Sequence, residues 1–189
     1  MAVYNTSSDS ANTMVRAFLT KVGESYIGHG FNTRTGKGRE IWDRIRQHTF
    51  KNCCAFCGIT GVDLQIEHLI MFNRDQCGLH HPGNMVPVCA RCNKRGKYPD
   101  TKSYFDWTDQ LKEVCQNDDL FNTRRAKIID HINTENYPEL SQDVLNALRA
   151  ITNSLYQSTA SELERYLDLF QNIDSTLIQN RETEGNYAK

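Results

Sequence analysis

Apolar positions recur at helical spacing along most of the chain, and the pattern breaks only in its middle. Met14, Val15, Phe18, Leu19 and Val22 fall on one side of a helix over 13–27. The polar stretch before it, 1–12, has the composition of a loose terminus. "GHGFNTRTGKG" (28–38) interrupts the period with glycines and reads as a basic loop. "REIWDRIRQHTF" (39–50) restores it, with Ile41, Trp42, Ile45 and Phe50 on one side and Arg39, Arg44 and Arg46 turned to solvent. One further helix is expected within 100–121, with Trp107, Leu111 and Val114 inward. From Asn122 onward the pattern is helical throughout, in three apolar faces: Ile128, Ile129 and Ile132; Leu140, Val144, Leu148, Ile151 and Leu155; and Leu163, Tyr166, Leu167, Phe170 and Ile173. "ENYP" (135–138) and "QSTAS" (157–161) are the expected breaks. These faces are core first and a dimer interface second.

Between the helical halves the period changes. "LQIEHLI" (64–70) reads as a strand with Leu64, Ile66, His68 and Ile70 on one side. "HHPGN" is a turn, "MVPVC" (85–89) returns as a second extended segment, and "NKRGKYP" (93–99) starts a short helix stopped by Gly96 and Pro99. Inside the first strand sit Glu67 and His68, two groups that are costly to bury. A straight strand sends adjacent side chains to opposite faces. The pair is either a solvent-exposed accident or part of a site on which other polar residues converge.

The chemistry of the middle comes from its cysteines and its charge. "CAFCG" and "CARCN" place Cys54 and Cys57, and Cys89 and Cys92, two residues apart, so that each turn can aim two sulfurs at one ion. Four thiolates satisfy tetrahedral zinc with no open position, which makes the expected site a structural one. The seven cysteines are odd in number and follow no apolar export signal, so a disulfide framework is not expected, and cytoplasm is the expected location. No apolar run is long enough to span a bilayer. The net charge of −1 hides an asymmetry: residues 31–102 hold 12 Lys/Arg against 6 Asp/Glu, and the remainder is acidic. A basic middle in a neutral chain points to a polyanion partner.

The order Glu67-His68, then Gly83-Asn84, then Cys89-x-x-Cys92-Asn93-Lys94-Arg95-Gly96-Lys97 resembles the HNH endonuclease family, over residues 54–97, in an H-N-N variant. The resemblance implies a ββα-metal hairpin and a metal-dependent endonuclease acting on DNA, expected double-stranded, in restriction, phage defence or mobile-element processing. His68 would be the general base. Glu67 and Asn93 would be oxygen ligands of a catalytic Mg²⁺ or Mn²⁺, and Asn84 would hold the loop that orients the histidine. Arg91, Lys94, Arg95 and Lys97 would grip phosphates, with Arg39, Arg44 and Arg46 as further DNA contacts. Cys77, His80 and His81 form a candidate second metal site, or His80 or His81 helps hold DNA. His29, His48 and His131 read as structural or exposed. The expected fold is α+β and mostly helical: an N-terminal helical and basic segment (1–50), a zinc-bound ββα-metal module (51–100) and a C-terminal helical lobe (101–189). The competing reading is a zinc-knuckle nucleic-acid-binding module without catalysis. A weaker one is a protein-interaction adaptor.

Overall fold

The structure is a computed structural model that describes residues 6–187, with side chains to residue 174. It is α+β and mostly helical. The described helices are α1 (Ser7–Ile27), α2 (Gly36–Arg44), α3 (Trp107–Val114), α4 (Asp118–Thr134) and α5 (Gln142–Tyr187). Strands β1 (Leu64–His68) and β2 (Met85–Cys89) form a two-stranded antiparallel sheet with Ile66 opposite Pro87 and His68 opposite Met85. No helix among the described residues is long and apolar enough to cross a membrane.

Local chemistry sets the helix ends. Thr6 caps α1 by accepting from the Asp9 N–H, and Gly28, at a φ of 80°, closes it by donating to the Glu24 carbonyl. α1 therefore begins at Ser7, inside the stretch expected to be loose; residues 1–5 lie outside the described residues. Asp106 caps α3, the one helix expected within 100–121, and Asn117 caps α4, which starts at Asp118, four residues before the expected Asn122. α2 runs into one wide π turn, Ile45–Thr49. The break expected at 135–138 is present, but that at 157–161 is not: α5 is continuous through it. There the Ser158 hydroxyl bonds back to the Ser154 carbonyl, so the polar residue is satisfied within the helix.

Two apolar cores hold the elements. The first joins Phe31, Trp42, Ile45 and Phe50 to Phe56, Leu69, Met85, Val86 and Val88 of the hairpin region and to Leu111 and Ile128 behind it. It draws on all three expected segments, so the boundaries at 50/51 and 100/101 do not separate cores. The second packs Val15 and Leu19 of α1 with Leu148 of α5 around Cys77 and Leu79. Beyond that contact Leu163, Tyr166, Leu167, Phe170 and Ile173 of α5 are exposed.

The helix expected over 93–99 does not form. A turn follows Cys92, and Lys97 then bridges to Tyr104. The groups a helix would use are committed elsewhere: the Gly96 N–H donates to Gln110 Oε1, 2.8 Å, and Arg95 turns inward to β1. Gly96 is pressed on Phe105, whose ring would lie 2.5 Å from any Cβ there.

Candidate functional site

The hairpin is clamped at one end by sulfur. The sulfurs of Cys54, Cys57, Cys89 and Cys92 lie within 4.8 Å of one another, with Cys57 and Cys89 3.7 Å apart. Zn–S bonds of about 2.3 Å in a tetrahedron require sulfurs about 3.8 Å apart. The four residues are thus placed to hold a metal ion such as zinc. The first turn is closed by the Gly58 N–H on the Cys54 carbonyl and the second by the Asn93 N–H on the Cys89 carbonyl. Ala55 N–H donates to the Pro87 carbonyl, 2.8 Å, which joins the first turn to the outer side of β2. Proline fits there because that edge of β2 asks Pro87 for a carbonyl and not for an N–H. Arg124 of α4 donates to the carbonyls of Phe56 (2.7 Å) and Cys57 (3.0 Å), tying the turn to the helical half.

At the other end the pleat separates Glu67 from His68. Glu67 faces the segment after the second turn and is ion-paired with Arg95, whose side chain is 3% exposed. The same guanidinium donates to the carbonyls of His68 (2.8 Å) and Leu69 (3.1 Å). Burial pushes the Glu67 carboxyl up, against the pull of Arg95. On that face, too, Asn93 Nδ2 donates to Gln65 Oε1, 2.6 Å. Among the described residues the only cluster of three or more His, Cys, Asp or Glu side chains placed to share an ion is the four cysteines. Glu67 and Asn93, one ion-paired and the other amide-bonded, do not fit a catalytic cation as they stand.

His68 faces the long loop that joins the strands. Its ring stacks on Phe72, centroids 4.8 Å apart, and its Nε2 lies 3.1 Å from His80 Nδ1. Burial pushes its pKa down to about 3, with His80, Arg95 and Arg16 adding to the effect. The imidazole is therefore neutral at pH 7 and keeps a lone pair. Asn84, 1% exposed, shapes the loop: Oδ1 accepts from the Ile70 N–H (2.8 Å), and Nδ2 donates to the carbonyls of Ile70 and Leu79 (2.9 Å each). Gly78 lets the loop fold back, since a Cβ there would lie 2.0 Å from the Ile70 carbonyl oxygen.

The second metal site expected from Cys77, His80 and His81 is not assembled. Cys77 is buried in the second core against Thr152, His81 Nδ1 accepts from the Gly83 N–H, and His80 goes to His68. Of the expected phosphate contacts, Arg95 is a buried clamp on β1. Arg44 holds Glu135 with two bonds, 2.7 and 2.8 Å, while Arg39 and Arg46 pair with Asp43. Arg91, Lys94 and Lys97 are exposed beside the second turn. His131, read as structural or exposed, is buried and bonded to the Met85 carbonyl. Sequence reasoning missed the His80–His68 contact and the two inward arginines, Arg95 and Arg124; adjacency in a basic run gives no sign of which cation turns inward. Compared with protein-family models, with curated proteins and with solved structures, the chain gives no match.

Proposed function

We propose that this protein is an HNH-type endonuclease that hydrolyses DNA phosphodiester bonds, with His68 as general base and a structural zinc on the four cysteines. The observation that carries the reading is the setting of His68: a half-buried imidazole with its ring held by Phe72 and His80, at the end of a strand whose far end is clamped by four sulfurs. A surface accident would leave that ring free; a general base must be held in reach of the proton it takes. The charge asymmetry and the exposed Arg91, Lys94 and Lys97 supply a face for phosphates. Mg²⁺ or Mn²⁺ dependence belongs to the resemblance, but Glu67 and Asn93 do not form a seat for that ion. The reading stands on His68 and not on them.

The test is nicking of supercoiled plasmid by purified protein in Mg²⁺, in Mn²⁺ and in EDTA. Cutting that needs the metal and disappears in His68→Ala supports the nuclease. The Glu67–Arg95 pair favours one second reading, a zinc-clamped DNA-binding module without catalysis. That protein would bind DNA in a salt-dependent way, with or without His68, and cut nothing. We also propose that two copies pair through α5. Leu163, Tyr166, Phe170 and Ile173 are exposed at steps of three, four and three, the spacing of a coiled-coil seam. Sedimentation velocity should show a dimer that Phe170→Glu dissociates and that Ile151→Glu, at another exposed position of α5, leaves intact.

A further inference from the structure

His80 lies outside the motif that suggested a nuclease, yet it is the side chain that touches the proposed base. Its backbone is held from one side by α1, where Gly23 approaches so closely that a Cβ would lie 2.5 Å from the His80 carbonyl oxygen. The preceding residue, Leu79, is held by Asn84 Nδ2 on its carbonyl and by the Tyr137 hydroxyl on its N–H. The His80 ring packs on Phe31, centroids 5.2 Å apart, and on Phe72, 5.6 Å. Phe72 is also the ring that stacks on His68. What this packing fixes in space is one nitrogen, His80 Nδ1, 3.1 Å from His68 Nε2.

We infer that His80 is a positioning residue: its Nδ1 accepts a hydrogen bond from His68 Nε2–H and leaves His68 Nδ1 as the atom that takes the proton. The inference rests on the nuclease reading above. Two neutral imidazoles 3.1 Å apart share one proton, and the surrounding charges select its place. Glu24, held by the Phe31 N–H and by Lys21, acts on the His80 ring, and a proton on Nε2, the nitrogen turned away from His68, leaves Nδ1 a lone pair. In the hydrolytic step a water gives its proton to His68 Nδ1 while its oxygen bonds to phosphorus. The P–O3′ bond breaks, and the departing 3′ oxygen takes a proton from solvent, leaving a 5′-phosphate and a 3′-hydroxyl. With the opposite tautomer His68 Nδ1 would carry a hydrogen and could not act.

The experiment uses the zinc-loaded full chain labelled with ¹⁵N-histidine. Long-range ¹⁵N–¹H correlation reads the tautomer of His68, and plasmid nicking is measured on the same samples. Wild type should show His68 as the Nε2–H form. His80→Asn can place its side-chain oxygen near the position of Nδ1, and should keep both that form and cutting within about threefold. His80→Phe keeps ring packing but removes the acceptor. It should retain zinc content and DNA binding, lose the single tautomer, and cut about 10- to 100-fold more slowly, a part of the roughly 10²–10⁴-fold that a positioned base contributes. An Nδ1–H form in wild type, or full cutting by His80→Phe, overturns the inference. If no protein cuts, the nuclease reading fails with the base role, and the tautomer of wild type against His80→Phe still decides whether the contact orders His68.

Discussion

Glu67 and His68 are neighbours in sequence, yet they belong to two regions that differ in almost every respect. The face of β1 that carries Glu67 is closed: the carboxylate meets a guanidinium that is 3% exposed, and the same guanidinium takes two strand-end carbonyls. The face that carries His68 is ordered without an ion pair. Its ring stacks on an aromatic side chain and shares a single hydrogen bond with a second imidazole. A buried ion pair with further hydrogen bonds is a structural device, and removing one partner is expensive. A neutral imidazole with one nitrogen satisfied and one free is a group that can still act. Adjacency of two polar residues is thus no sign that they share a task.

The comparison can be broken at several points, and the largest effect is expected at the clamp that both faces depend on. Chelation of metal, or Cys92→Ser, should abolish cooperative thermal unfolding, since an ion on the four sulfurs would join segments separated by 31 residues and structural zinc contributes folding free energy of about 10 kcal/mol or more. A chelated protein that melts at an unchanged temperature would show that the sulfurs hold nothing. Next comes Arg95→Ala, which leaves Glu67 buried without its partner. It should lower stability in urea by about 3–5 kcal/mol with zinc still bound. A loss below about 1 kcal/mol would mean that the ion pair does not close the Glu67 face.

A smaller effect separates the faces by pH. Burial holds His68 at about 3 and His81 at about 4, from an ordinary 6.5. Both stay neutral in the folded chain, while the unfolded chain binds protons below about pH 6.5. Stability should therefore fall as pH drops from about 6.5 towards about 4, each histidine adding up to about 1.4 kcal/mol per pH unit. Urea midpoints between pH 7.5 and 5.0, in excess zinc, should show a shallower acid limb for His68→Gln than for wild type. An identical limb would place His68 in water.

Much of the frame was legible because its signals are local. Two C-x-x-C turns bring their own geometry, and the alternation in "LQIEHLI" with the turn at "HHPGN" is enough for a hairpin. Asn84 has its loop-holding role from the resemblance alone, and its side chain bonds the carbonyls of Ile70 and Leu79. What escaped depends on partners far away in sequence. Nothing in "NKRGK" marks Arg95 as the inward cation, because its partners are on β1; read as a helix, the same run turns every charge outward. The break expected at "QSTAS" failed for the opposite reason: serine and threonine are weak helix residues, but Ser158 is satisfied within α5, which is carried by its packing on α1. His80 was invisible as a partner of His68 because twelve residues of loop, folded by Gly78 and Asn84, bring it there.

The most direct measurement is one nicking assay on three proteins of matched zinc content and folding: wild type, His68→Ala and Glu67→Gln. The glutamine keeps a hydrogen-bond acceptor for Arg95. The two-face account predicts that His68→Ala loses at least about 100-fold in cutting rate, while Glu67→Gln stays within several-fold of wild type. Full activity in His68→Ala would contradict it. So would a folded Glu67→Gln that cuts no faster than His68→Ala, since the carboxylate would then be doing chemistry on the same side as the histidine.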